Sequence, residues 1–150
     1  MSERNVTHAT FAVERSYAVP PARVFGAWAD PVAKSRWFGG DDWQHELDFR
    51  VGGREVSTGT VDGTVFTVFR FEDRYQDIVP DERIVYAYDM HMGEARISVS
   101  LATVELTPDG EGTKLVFTEQ GAFLDGLDDP SQRENGTGAL LDALGKELER

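Results

Sequence analysis

The sequence predicts an α+β domain in which a curved antiparallel sheet wraps around one long C-terminal helix. Three observations carry that prediction. From Trp43 to Phe123 apolar and polar residues alternate at period two between turn signals, as consecutive strands require. Two Asp-Pro pairs, Asp30-Pro31 and Asp129-Pro130, each precede a helical pattern; aspartate caps free N–H groups and proline occupies the first helical position. Leu140, Leu141, Leu144 and Leu148 then recur at helical spacing and form an apolar stripe that must pack against something.

The elements follow in order. Thr10 to Val19 reads as a strand, with Phe11 and Val13 alternating with polar neighbours, and Pro20-Pro21 stops it. Val24, Phe25 and Trp28 give a short amphipathic helix ending near Ala29, and Asp30-Pro31 starts a second that ends at Trp37-Phe38-Gly39-Gly40. Trp43 to Val51 reads as a strand closed by a tight Gly52-Gly53 hairpin. Asp62-Gly63 joins Arg54–Val61 to Thr64–Asp77. Val79-Pro80-Asp81-Glu82 and Gly93 turn the chain into Arg83–His91 and Arg96–Leu106. Pro108 to Gly112 is a loop before Thr113–Gln120. Parallel pairing would need crossovers, so these strands form an antiparallel meander. A sheet curled around the last helix is a helix-grip geometry, and where it stands off from that helix it leaves a space.

Composition narrows the function. The chain has 150 residues, suits a single domain over 1–150, and contains no cysteine, which excludes disulfides, thiol nucleophiles and thiolate metal sites. Fifteen basic against 27 acidic residues, a formal charge of -12, speak against nucleic acid and anionic membranes as partners. The N-terminus MSERNVTHATF lacks the basic start and apolar run of a signal peptide, and the expected location is cytoplasmic. His8, His45 and His91 have no metal-ligand spacing, no Gly-x-Ser-x-Gly elbow exists, and the glycine pairs sit in hairpins. No cofactor, metal or catalytic residue is therefore assigned. Asp125, Asp128 and Asp129 lack an EF-hand pattern and read as a solvated loop with a helix cap.

The run Arg15 to Pro31 (RSYAVPPARVFGAWADP) and Arg36 to Gly40 (RWFGG) resemble the domain family named for activators of the heat-shock chaperone ATPase. That family lies within the START-like (SRPBCC, polyketide-cyclase-like) superfamily. Phe49–Gly53, Val79–Tyr86, Gly112–Leu115 and Gly121–Phe123 continue the resemblance, which covers about residues 8 to 150. It implies a START-like fold, on a scaffold that hosts carriers, cyclases, hydroxylase subunits and chaperone partners. Relatives that act on the chaperone use an additional N-terminal domain absent from this chain, so chaperone contact is not expected. Many relatives place a histidine after the last strand's threonine; here the residues are Thr118-Glu119-Gln120-Gly121, and no histidine role transfers.

On that fold, Trp28, Trp37, Phe38, Trp43, Phe49, Phe66, Tyr86, Tyr88, Phe117 and Phe123 line the interior or its mouth, either as a pocket for a flat apolar ligand or as plain core. Ser98, Ser100 and Ala102 alternate down one strand face and leave room if that face is inward. Glu119 shares strand parity with Leu115 and Phe117 and points inward with them. It is either a salt-bridge partner of an arginine near the rim or a usable acid–base group. His91, with Met90 and Met92, sits at a hairpin tip and could close the pocket or be exposed. The expected function is binding of a small hydrophobic, aromatic molecule without covalent chemistry. A cyclase or dehydratase using Glu119 as base, and a surface-acting chaperone co-factor, are the alternatives. The leucine stripe packs on the sheet or forms a homodimer seam.

Overall fold

The computed structural model describes residues 4–39, 42–60 and 68–150. In chain order the elements are β1 (Val6–Tyr17), α1 (Pro21–Ala29), α2 (Pro31–Trp37), β2 (Gln44–Leu47), β3 (Arg54–Gly59), β4 (Phe69–Val79), β5 (Arg83–Met92), β6 (Ala95–Asp109), β7 (Gly112–Leu124) and α3 (Pro130–Glu147). The strands form one seven-stranded antiparallel sheet in the order β1-β7-β6-β5-β4-β3-β2. From β2 to β7 each strand pairs antiparallel with the next in sequence. The first strand then closes the sheet beside the last, from Val6 opposite Leu124 to Tyr17 opposite Thr113.

Alternation decides which face is inside. Phe71 and Tyr75 on β4, Ile84, Tyr86 and Tyr88 on β5, Val104 and Leu106 on β6, and Leu115 and Phe117 on β7 are all buried, with exposed or half-exposed residues between them. Ser98, Ser100 and Ala102 share that inner face, while Val99 and Leu101 face outward. The register shifts between Tyr75 and Asp77 and between Met90 and His91. Bulges of this kind bend strands and increase twist, which curls the sheet over the helices.

The helices start where their caps place them. Asp30 Oδ1 accepts from the Val32 N–H at 3.0 Å, and Asp129 Oδ1 accepts from the Ser131 N–H at 2.9 Å. Leu141, Leu144 and Leu148 are buried, and α3 packs against β1 and α2 rather than presenting a free stripe. Two polar ties fix its C-terminal half: Tyr17 Oη donates to the Leu141 carbonyl at 2.8 Å, and Arg36 Nη2 donates to Glu147 Oε2 at 2.6 Å.

Several boundaries differ from the sequence reading. β2 stops at Leu47, because the chain leaves the ladder at Asp48. There Gly52, at φ +83°, donates to the Tyr75 carbonyl, so the expected tight hairpin is a longer connection docked on β4. β6 runs through Pro108 to Asp109, so only Gly110 and Glu111 separate it from β7. β7 in turn continues to Leu124, because β1 begins at Val6 and pairs with its whole length. The expected Asp62-Gly63 hairpin lies outside the described residues.

Truncating Leu144, fully buried at the helix–sheet contact, to alanine should cost roughly 2–5 kcal/mol by urea denaturation. Leu101→Ala on the outer face should stay within about 0.5–1 kcal/mol. Equal losses would mean the inner and outer faces are misassigned.

Candidate functional site

The sheet does stand off from α3. Leu144 and Leu148 fill the space beneath its C-terminal end, but its earlier turns present Gly136, Thr137, Leu140 and Leu141 to a cavity of about 560 Å³. Trp28, Trp37 and Phe38 form one wall, stacked edge to face with ring centroids 4.8 and 5.7 Å apart. Trp37 is fixed by its Nε1–H, which donates to the Ala27 carbonyl at 2.9 Å. The sheet adds Phe69, Phe71, Tyr86, Tyr88 and Phe117, and the β5–β6 hairpin adds Met90, Met92 and Ile97. Trp43 completes the wall beside Gly59, where any Cβ would overlap the indole.

One end is polar. Glu119, fully buried on β7, accepts from Tyr88 Oη at 2.7 Å, Ser100 Oγ at 2.7 Å and Arg133 Nη1 at 3.1 Å. Arg133, from the first turn of α3, also donates to Tyr88 Oη at 2.8 Å, to Ser98 Oγ at 2.7 Å and to Asp128 Oδ2 at 2.6 Å. Burial and the neighbouring Glu119 charge push the Tyr88 phenol well above its usual range, so it keeps its proton and donates it. Glu119 is thus the salt-bridge partner of an arginine at the cavity rim. The small residues of β6 have a definite use: Ser98 and Ser100 supply hydroxyls to this network.

The residues singled out from sequence divide into groups. Trp28, Trp37, Phe38, Trp43, Tyr86, Tyr88 and Phe117 meet around the cavity. Phe49 turns away and packs edge-on against Phe25 and Tyr75, at 5.6 and 4.9 Å. Phe123 is buried, but Arg133 lies over it, with its guanidinium carbon 5.2 Å from the ring centroid, and separates it from the space. Glu119 sits behind Arg133 and Tyr88, outside the wall itself. Phe66 lies outside the described residues. His91 is half-buried at the hairpin, and its neighbours Met90 and Met92 reach the cavity in its place.

A second buried polar cluster escaped the sequence reading. Lys34, on α2, is fully buried, and its Nζ lies 2.7 Å from Glu55 Oε1 and 3.3 Å from Tyr75 Oη. Tyr75 Oη also donates to Glu55 Oε1 at 2.9 Å, and His45 Nε2 lies 2.5 Å from Glu55 Oε2. The ammonium sits 5.0 Å from the Trp28 ring centroid and 4.5 Å from that of Phe38, behind the aromatic wall of the cavity. Opposite Glu55 in the β3–β4 register stands Asp73, 1% exposed, with neither carboxyl oxygen receiving a hydrogen bond from the described residues. Two adjacent carboxyls share one set of donors, and all of those serve Glu55. Burial raises the Asp73 pKa and the Glu55 charge raises it further, to about 9, so the proton of the pair resides on Asp73. Burial would raise Glu55 as well, but Lys34 and the His45 hydrogen bond outweigh it and hold Glu55 at about 2. A buried lysine from a seven-residue helix and a glutamate in a strand carry no pattern in sequence that marks them as partners. Only the inward parity of Glu55, Ser57 and Asp73 hinted at it.

Sheet order, caps and cavity define a helix-grip domain with a partly open cavity lined largely by apolar side chains. The family model described as "Activator of Hsp90 ATPase homolog 1-like protein" matches residues 18–149, and the chain belongs to that family. A solved structure of a protein from Rhizobium loti is 50% identical, with TM-score 0.88, covering 95% of this chain and 99% of that one. Another, from Rhizobium leguminosarum, is 46% identical, with TM-score 0.92 and 99% of both chains covered. CalU16 from Micromonospora echinospora, 19% identical with TM-score 0.66 over 99% of this chain and 86% of that one, shares the fold. Comparison with curated proteins gave no match. No helix among the described residues is long and apolar enough to cross a membrane.

Two measurements test the buried cluster. Lys34→Met strands Glu55 without its ammonium and should cost roughly 3–5 kcal/mol by urea denaturation, part of it recovered in the Lys34→Met/Glu55→Gln double variant. A loss under about 1 kcal/mol would mean that the pair does not secure α2. Asp73 gives a pH signature. Its pKa rises from 3.8 to about 9 on folding. Its contribution is thus complete below about pH 4 and declines as pH rises toward about 9. Glu55 has the opposite sign: its contribution is present above 4.5 and lost as pH falls through about 2. Asp73→Asn, a neutral isostere, should therefore gain stability relative to the parent between about pH 5 and about pH 9. A pH-independent difference would place the proton elsewhere.

Proposed function

We propose that this protein binds a small, planar, hydrophobic molecule in the cavity beneath the N-terminal half of α3, without covalent chemistry. The observation that carries the reading is the chamber: about 560 Å³, walled largely by aromatic and aliphatic side chains, with Tyr88 and Arg133 at its polar end bonded to Glu119 and to each other, and the buried Trp28 Nε1–H without a partner among the described residues. That volume lies within the usual ligand-pocket range of roughly 300–1,000 Å³. Flat rings suit walls built from edge-to-face indole and phenyl groups, which offer both faces and edges for offset stacking.

The geometry speaks against Glu119 as a general base. A base needs a free lone pair facing the substrate within hydrogen-bond reach. Glu119 is instead held by Tyr88, Ser100 and Arg133, and those side chains stand between it and the cavity. Removing a proton from a ligand there would first require breaking a buried ion pair.

Fluorescence of Trp28, Trp37 and Trp43 should report binding of uncharged polycyclic aromatics such as naphthalene derivatives. At a hundredfold excess over Kd the ligand stabilises by about 2.7 kcal/mol, which raises Tm by roughly 5–10 °C for a domain of this size. Gly136→Phe provides the block. A Cβ at Gly136 meets open space at the cavity's edge, and replacing a helical glycine supports α3. The variant should melt no lower than the parent and lose the fluorescence response at least tenfold. Full binding by the blocked variant would place the ligand outside this cavity.

A further inference from the structure

We infer that the chamber takes uncharged ligands in preference to those bearing a carboxylate, and that Asp128 is the residue that sets this selectivity. The inference rests on the cavity-binding reading and adds the chemical class of the ligand. It follows from how the charges around the chamber are distributed.

Among the described residues, the cavity wall contains two charged side chains, Asp128 and Arg133. Arg133 would be the natural anchor for an anionic ligand, because a guanidinium presents paired donors to a carboxylate. Here the four N–H donors on its two terminal nitrogens are already in use. Nη1 donates to Tyr88 Oη at 2.8 Å and Glu119 Oε2 at 3.1 Å, and Nη2 donates to Ser98 Oγ at 2.7 Å and Asp128 Oδ2 at 2.6 Å. The guanidinium faces are covered too, with its central carbon 5.7 Å from the Tyr88 ring centroid and 5.2 Å from that of Phe123. A ligand carboxylate would have to displace one of two carboxylates that belong to the protein.

The local charge points the same way. One cation, Arg133, faces two anions, Glu119 and Asp128, so the polar end carries a net charge of minus one. Behind the rings of Trp28 and Phe38 the Lys34 charge is matched by Glu55 and screened from the chamber. Among the described residues nothing in the wall compensates a further negative group, and an uncompensated charge in an apolar cavity is strongly disfavoured. A neutral ligand avoids that penalty.

Asp128 is the adjustable member of the network. Glu119 is buried under the sheet residues that hold it, whereas Asp128 lies in the loop before α3 and reaches Arg133 from the cavity side. Asparagine at this position keeps an oxygen for the Asp129 N–H, which now bonds to Asp128 Oδ1 at 2.9 Å. It removes the charge, so that Arg133 has one full anionic partner and can accept another.

The test uses two ligands that differ in charge and little else, 2-naphthamide and 2-naphthoate, titrated into the full chain near neutral pH and followed by tryptophan fluorescence. The parent should bind the amide at least about tenfold more tightly than the carboxylate, equivalent to about 1.4 kcal/mol. The preference should persist at about 1 M salt, where the Debye length is ~3 Å and the overall charge no longer repels at a distance. Asp128→Asn should shrink the ratio severalfold by improving carboxylate binding, with a thermal melt reporting that the variant is folded. Equal or tighter binding of the carboxylate by the parent would overturn the selectivity and leave the cavity reading standing. So would a ratio that disappears in high salt, or one unchanged in folded Asp128→Asn. Binding of neither ligand would overturn the cavity reading and the selectivity with it.

Discussion

The structure depends on holding a helix over empty space. A helix packed along its whole length is fixed by its apolar stripe, but the N-terminal half of α3 has a chamber beneath it. Apolar packing acts only at contact and cannot bridge such a gap. The bridge is Arg133, long enough to cross from the first turn of α3 to Glu119, Tyr88 and Ser98 on the sheet. The C-terminal half shows the contrasting solution, with Leu141, Leu144 and Leu148 buried and Glu147 paired with Arg36 on α2. Asp129 caps the start, and Asp128 in the adjoining loop clasps the same arginine. Each end of α3 is tied by the kind of interaction that its surroundings permit.

The second buried cluster does for α2 what Arg133 does for α3. α2 has only seven residues, too short to be stable through its own hydrogen bonds. Lys34 pins it to β3 and β4 through Glu55 and Tyr75, which orients Trp37 and Phe38 toward the cavity. The four rings around the ammonium, those of Trp28, Phe38, Tyr75 and Tyr86, lie within 4.5 to 5.9 Å of it. Three of those rings also face the chamber, so one aromatic layer serves a charge on one side and apolar space on the other. Asp73, left without donors, resolves the crowding by remaining neutral.

Much of this could be read from the amino-acid order, and the failures share a cause. Period-two alternation groups residues by face: Glu119, expected inside with Leu115 and Phe117, lies there, and the face of Ser98, Ser100 and Ala102, which alternation alone leaves open, is the inner one. Asp-Pro pairs marked both capped helix starts because capping is local chemistry. Parity cannot say which part of a long inner face adjoins a void. Phe49 and Phe123 are turned inward yet miss the cavity, while Phe69 and Phe71 line it from the strand on which the sequence reading selects only Phe66. Lys34 and Glu55 are 21 positions apart on different elements, and each alone reads as a surface residue. The partner of Glu119 was foreseen as an arginine, but its identity depended on how far along α3 the chamber extends.

Two buried ionic clusters in a domain of this size call for a physical reason, because a buried ion pair is often no more stabilising than well-packed apolar residues of similar volume. That comparison assumes that apolar residues could fill the same space. Around a retained cavity they cannot, since side chains large enough to secure α2 and α3 by packing would occupy the chamber. Ion pairs and hydrogen bonds are directional and act through a few atoms, so they can position a helix without filling the volume beside it. Lys34–Glu55 lies behind the Trp28 and Phe38 rings and Glu119 behind Arg133 and Tyr88, so both ion pairs support the wall of the space without filling it. The same saturation that makes them effective supports removes them from chemistry: a carboxylate bound by three donors is a poor base, and a guanidinium bound by two carboxylates is a poor anion receptor. The charges of this interior therefore maintain the shape of the chamber, and the apolar surface between them is what remains to meet a guest.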